Sequence, residues 1–373
     1  MATSAIGPGF LTQTAAFTKQ LAASFAFVIV VSIVIDIIVQ LNIWRILSVS
    51  GLRGSEAANA GIPGSGYLLT VLVALGGLVF NIGNLAGCGL GLNAATGLAP
   101  EYGAVLSSVI AVAIFALPGR DRLLDHFVKV LGLLMTALIV YVTFFAGPPI
   151  LDAAKAVVWP EKLNAAAIVT LVGGTVGGYI SFAGAHRLIE AGITGPGSVK
   201  TVDRGAVGGI LLTAVMRILF FLAALGVVAA GLTIDDANPP ASVFRLAAGD
   251  AGYRIFGIVM WAAAITSVVG AAFTSISFLR TIRPAVDKSP RSMIIWFILI
   301  SLLLFLLFGS PVRLLIMAGL VNGFVLPFGL AMILIAARRG RILGEYQHPL
   351  WLETLGWAVV LVMAGFSVSA IIG

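Results

Sequence analysis

The chain has 373 residues, 60% of them hydrophobic and 10% charged, with a formal net charge of +7. Soluble domains carry about 25% charged residues. The composition therefore excludes a soluble globular protein, and no polar stretch is long enough for a separate domain, including the ATPase domain of a pump. The lone cysteine, Cys88, excludes a disulfide framework and a Cys-based metal site.

An apolar helix of roughly 20 residues crosses the hydrocarbon core. Backbone groups in lipid must be satisfied within the protein, which leaves helices or closed barrels. The apolar blocks are continuous rather than alternating, so barrel strands are excluded. Eleven helical spans are predicted. The first, 4–20, is short and carries Gly7-Pro8-Gly9, and no basic region precedes it, so it does not read as a cleaved signal peptide. The second, 22–49, holds Asp36 well inside an apolar run. The third, 67–95, carries Asn81 and Asn84 among glycines, and 102–118 and 125–146 follow. The sixth, 164–190, contains Gly173, Gly174, Gly177, Gly178 and Gly184 and ends on His186, Arg187 and Glu190. The seventh, 206–232, places Arg217 deep in an apolar run, and the eighth, 253–281, holds Thr274, Ser275 and Ser277. Spans 292–309, 313–337 (with Asn322) and 352–372 complete the set.

The distribution of Lys and Arg sets the orientation. With the N-terminus cytoplasmic, the inner side holds Arg45, Arg53, Arg120, Arg187, Lys200, Arg204, Arg283, Lys288, Arg338 and Arg339, while the outer side has only Lys155, Lys162, Arg245, Arg254 and Arg313. This one-sided pattern explains the net charge without a nucleic-acid partner, predicts an integral inner (plasma) membrane protein and puts the C-terminus outside. Broken or short spans at equivalent places in two halves mark an inverted repeat around a midplane site. Residues 1–146 and 164–337 are the predicted halves of a single transmembrane domain, with 352–372 an added helix.

Three stretches carry a family resemblance. Gly7-Pro8-Gly9-Phe10, the run from Leu171 to Tyr179, and Asn322-Gly323 followed by Leu326-Pro327 resemble segments of the NRAMP family of divalent-metal transporters. The resemblance implies an all-α, leucine-transporter (APC-type) fold with broken first and sixth helices and alternating access. In that family an Asp-Pro-Gly-Asn motif in the first helix and Met-Pro-His in the sixth surround the metal. Counted from Gly-Pro, the first motif falls on Thr18, Lys19, Gln20 and Leu21, and the second on Gly177, Gly178 and Tyr179. None of these is a usual metal ligand, and residues 1–35 contain no Asp or Glu. No metal site and no cofactor are expected beyond a coupling H+ or Na+.

The residues present suit a small polar or anionic solute. Broken helices offer free N–H groups and positive dipole ends, and Gln13, Thr14 and Thr18 add donors and acceptors. Lys19 is either a site cation or a side chain reaching for an interface. Gly177, Gly178 and Tyr179 either line the substrate or pack helices closely. Asp36 is either a coupling carboxylate or the partner of an arginine such as Arg217. His186 and Glu190 share a helix face at i and i+4, as a proton relay or an interfacial cap. Asn81, Asn84, Asn322, Thr274 and Ser275 are further candidates, each with a structural reading as helix glue or as backbone-bonded hydroxyls. His348 sits beside a loop and is assigned no role. Nothing marks an enzyme. A gradient-driven carrier of a small polar or anionic organic solute is the first reading, a divalent-metal carrier with a remodelled site the second, and an uncoupled channel or membrane scaffold the third.

Overall fold

The computed structural model describes residues 7–116, 121–280, 290–339 and 342–372. Arg120, Arg283 and Lys288 lie outside the described residues. All regular structure among the described residues is helical. Helix α1 (Pro8–Leu21) has Pro at its first position, where the missing N–H is no loss. A single 3-10 turn (Ala22–Ser24) leads into α2 (Phe25–Ser50), with Ala22 at φ +49°. At 1.5 Å per residue α1 is about 21 Å long and α2 about 39 Å, so only α2 is long enough to cross a core of roughly 30 Å. The remaining helices are α3 (Gly54–Gly61), α4 (Ser65–Thr96), α5 (Pro100–Ala116), α6 (Asp121–Phe145), α7 (Ile150–Val158), α8 (Ala165–Val176), α9 (Gly178–Glu190), α10 (Val199–Ala229), α11 (Pro239–Arg280), α12 (Pro290–Phe308), α13 (Pro311–Arg338) and α14 (Leu350–Ile372). Helix α11 is interrupted at Gly249.

Among the described residues, eight helical stretches are long and apolar enough to cross a membrane, or nine if 132–145 and 150–158, bent by 103°, count as one. The count differs from eleven because 8–50 is one continuous helical run of 43 residues and 100–114 is short. The run reverses direction at the 3-10 turn. Lys19 and Ser24 lie at one end of the molecule, bonded to Asp236 and to the N–H groups of Glu161 and Lys162, whereas Ser48 reaches the opposite end at Ile193 and Ser198.

The helices sort into two groups. Helix α2 packs on α8, α9 and α10, and α1 on α10. Helix α4 packs on α5, α11 and α12, and α12 on α5. Helix α13 bridges the groups through α4 and α8. In lipid this association rests on close packing, because tails are as apolar as the side chains. The α8–α13 contact shows how close: a Cβ added at Gly173 would sit 1.9 Å from Gly319 O and 2.3 Å from Gly323 N.

Most of the inner-side basic residues gather at the end where α2 finishes. There Arg45 forms a two-pronged ion pair with Asp203 at 2.6 and 2.7 Å, and Arg338 pairs with the buried Glu353 of α14. His348, given no role above, bonds Asn42 through Nε2 at 2.8 Å, while Asn42 Nδ2 donates to Leu352 O. The loop before α14 is thereby tied to α2. Burial, with the charge of Arg45, lowers the His348 pKa from 6.5 to about 4, against the opposing pull of Glu353.

Two outcomes follow. Gly173→Ala should cost on the order of 1–3 kcal/mol through overpacking, read as a lower unfolding temperature in detergent. Gly197→Ala, with nothing within 4 Å of the added carbon, should change little. A folded-state His pKa below the unfolded value means that the unfolded chain takes up the proton first. The His348 contribution is therefore complete above about pH 6.5 and lost as pH falls toward 4. Wild-type unfolding temperature should drop more steeply across that window than that of His348→Gln, and parallel curves would refute the assignment.

Candidate functional site

Two helix breaks meet inside the membrane. Gly7 lies 3.8 Å, measured from an added Cβ, from Ser267 Oγ in the middle of α11, and the Pro8 ring fills the space left by the missing side chain of Gly87. On the other side, α8 ends at Val176, Gly177 (φ −50°, ψ 166°) leaves the helical region, and α9 restarts at Gly178. The N-termini of α1 and α9 thus face the interior, where free N–H groups and the dipole favour negative charge. Asn322 closes one of these ends: its Oδ1 accepts from the Tyr179 N–H at 3.1 Å, and its Nδ2 donates to Gly76 O and Ala318 O. Its role is to hold the break open and satisfied.

The first break is not where counting from Gly-Pro put the family motif. Thr18 lies in the last turn of α1 and donates to Thr14 O, and Thr14 donates to Phe10 O. Both hydroxyls are consumed by their own helix. Lys19 sits at the far end, where its Nζ donates to Asp236 Oδ1 at 2.6 Å, and Gln20 is exposed. The helix begins at Pro8, so Gly7-Pro8-Gly9-Phe10 occupies the break. It shares Pro-Gly with Asp-Pro-Gly-Asn and places Gly7 and Phe10 where that motif has Asp and Asn. Of the first-span candidates only Gln13 faces the breaks.

A narrow crevice of about 10 Å3 lies between the helix groups, lined by Gly9 and Gln13 of α1, Phe80, Gly83 and Asn84 of α4, Gly174 of α8, and Leu315 and Ala318 of α13. That is roughly the space one water molecule needs, so in this conformation the crevice is closed around little more than a water, and a larger occupant requires it to open. Gln13 Nε2 donates to Leu315 O, which turns Oε1 the other way; that oxygen has no partner, nor does Asn84 Nδ2, although both are buried. Burying unsatisfied polar atoms is costly, and an acceptor and a donor left free in one crevice are both open to a hydrogen-bonding partner. No Asp or Glu lines it, and among the described residues no group of three or more His, Cys, Asp or Glu is placed to hold a metal ion.

The other candidates fall around this crevice. The Tyr179 ring is buried 5.9 Å from Phe80, with its hydroxyl donating to Ala271 O. A Cβ on Gly77 would meet that ring at 3.0 Å and Ser275 Oγ at 2.2 Å. Tyr179 therefore plugs the space between α4 and α11 below the crevice, and Gly178 packs on Val325. Ser275 Oγ is buried without a partner, while Thr274 donates to its own helix at Gly270 O. His186 stacks on Phe278 with centroids 3.9 Å apart, and neither ring nitrogen has a hydrogen-bond partner. Glu190 is exposed at the basic end and accepts from Ser277 at 3.4 Å. Asn81 faces α12, donating to Ser301, away from the crevice.

Asp36 and Arg217 lie behind the breaks, 1% and 2% exposed. The two side chains lie near enough for their charges to act on one another. Thr175 accepts from Arg217 Nη1 at 3.1 Å, and the guanidinium lies 4.3 Å from the Phe10 ring centroid. Sequence reasoning raised the Asp36–Arg217 pairing but missed Thr175 and Phe10 as its neighbours; their only signal was adjacency to the two glycine breaks.

Comparison with known proteins gives three concordant findings. The family model described as natural resistance-associated macrophage protein-like matches residues 1–373. An uncharacterized membrane protein of Bacillus subtilis (strain 168), YcsG, is 55% identical over 98% of this chain and 90% of its own. The fold resembles the manganese transporter of Eremococcus coleocola (TM-score 0.69, 13% identity, 99% of this chain and 84% of that one) and MhsT in complex with L-phenylalanine (TM-score 0.64, 15% identity, 98% and 96%).

Asn322→Ala should destabilise the protein by about 1–3 kcal/mol, because the Tyr179 N–H and Gly76 O lose their partner. Tyr179→Phe, which removes the hydroxyl that donates to Ala271 O, should cost about 0.5–1.5 kcal/mol. Thermal unfolding in detergent orders the two, and equal losses would contradict the capping role.

Proposed function

The chain belongs to the natural resistance-associated macrophage protein (NRAMP) family of multi-pass membrane transporters, and from that premise we propose that it is an H+- or Na+-driven carrier of a small polar organic solute bearing an anionic group. It is a transporter and not an enzyme, and its fold is all-helical, of the leucine-transporter type. Residues 1–146 and 164–337 are read as the repeated halves, with α1 and the α8–α9 pair as their broken members. The basic end is placed in the cytoplasm and the end of α14 outside.

One observation carries the reading. The crevice at the two breaks is lined by neutral groups, with Gln13 Oε1 and Asn84 Nδ2 free, and a buried guanidinium lies behind it. Taking water from a divalent cation calls for carboxylates, or for thioether and imidazole in the case of softer ions. Gly7, Phe10, Gly177, Gly178 and Tyr179 at the breaks supply none of these. Two inward-facing helix N-termini favour the opposite sign of ligand. Alternating access would then move Tyr179 out of its slot between α4 and α11.

A second reading, carriage of a divalent metal cation, is favoured by the family itself and by the manganese transporter that shares the fold. Such an ion would keep most of its waters and meet backbone carbonyls and the Gln13 oxygen. The fold alone does not choose, since it is shared as well with MhsT, whose structure is in complex with L-phenylalanine.

Proteoliposome uptake separates the readings. Labelled small carboxylates and manganese are supplied in parallel under a proton or a sodium gradient. Gradient-dependent carboxylate uptake is expected, reduced at least ~10-fold by Asn84→Leu, which removes a hydrogen-bond donor from the crevice. Manganese uptake with no carboxylate uptake would replace the first reading with the second.

A further inference from the structure

Resting on that reading, we infer that Arg217 is the specificity-determining cation that pairs with the anionic group of the solute, and that Asp36 is the counter-charge it faces when the carrier is empty. Arg217 stands in the middle of α10, which packs on α1, α2 and α6, and it is buried there with Thr175 of α8 as its hydrogen-bond partner. Of its three guanidinium nitrogens only Nη1 has a hydrogen-bond partner, the Thr175 hydroxyl; Nε and Nη2 have none. The neighbouring carboxylate does not satisfy them, since Asp36 Oδ1 is also without a partner. A fully buried guanidinium with two idle donors is an expensive arrangement unless an anion completes it.

Its position fits a ligand role. The guanidinium lies over the ring of Phe10, and Phe10 is flanked by Gly9, which lines the crevice. It bonds Thr175, which follows Gly174, also in the crevice wall. Arg217 thus touches the residue that follows a crevice-lining glycine on each broken helix, Phe10 after Gly9 and Thr175 after Gly174, on the faces turned toward α10. A planar fork with two free N–H groups matches a carboxylate or another planar oxyanion, which it binds with two parallel hydrogen bonds. A divalent cation would be repelled by the same group. The solute anion and Asp36 then compete for one guanidinium, and the carboxylate is displaced as the solute enters.

The test uses the full-length protein in detergent, with binding read by calorimetry. The probes are mono- and dicarboxylates of two to six carbons, their neutral amides, and manganese chloride. At least one carboxylate should bind while its amide does not. Arg217→Gln should weaken that carboxylate on the order of 100-fold, as loss of a buried charge partner does. Asp36→Asn removes the competitor and should tighten binding several-fold, which keeps the proposal open to refutation even where Arg217→Gln does not fold. Carboxylate affinity unchanged in Arg217→Gln, or unchanged or weakened in Asp36→Asn, overturns the Arg217 assignment alone. No carboxylate binding to the wild type overturns the anionic-solute reading with it, and manganese binding in that case establishes the metal reading.

Discussion

A helix interrupted inside a bilayer frees N–H and C=O groups where no water can take them, and the rest of this structure follows from how that demand is met. At the second break the answer is one side chain. Asn322 of α13 accepts from the Tyr179 N–H, the second of α9, and uses its own amide on Gly76 and Ala318. For Asn322 to reach, α13 must lie against α8 at backbone distance, and Gly173, Gly319 and Gly323 make that approach possible. At the first break the answer is Pro8, which has no N–H to lose and whose ring occupies the space over Gly87. Packing and polar satisfaction are thus one requirement here, and small residues recur where the two helix groups meet.

Charge follows the same logic at three depths. At the two membrane faces, ion pairs tie helix ends together: Lys19 to Asp236 on one side, Arg45 to Asp203 and Arg338 to Glu353 on the other. These pairs are partly exposed, and such pairs contribute modestly. Between them lies a neutral crevice, and behind the crevice a buried Asp36 and Arg217 with only part of their hydrogen-bonding capacity used. Polar capacity held in reserve inside a membrane is where function is expected. The family's metal chemistry needs negative ligands at the breaks, and this chain has instead glycine, phenylalanine and tyrosine there with a cation close by. A scaffold shared with a manganese transporter and with a transporter bound to L-phenylalanine can present either kind of site, because the backbone breaks are common property and the side chains at them are not.

Much of this was legible in the sequence, for reasons that are local. Long apolar runs dictate membrane helices, the distribution of Lys and Arg marks one end, and Gly177-Gly178 and Gly7-Pro8-Gly9 announce interruptions, because hydropathy and backbone freedom are properties of a residue and its neighbours. Tertiary structure decided what depended on partners far apart in the chain. The family's first-helix motif, counted from Gly-Pro onto Thr18–Leu21, belongs instead at the Gly7–Phe10 break, because Lys19 lies at the far end of α1, bonded to Asp236, 217 residues away. Asn322 became a cap through a hydrogen bond spanning 143 residues, and the orientation of Gln13 was set by Leu315, 302 residues on. Composition records that a polar atom exists inside the membrane; only the packing of distant helices determines whether it is already satisfied or still waiting for a ligand.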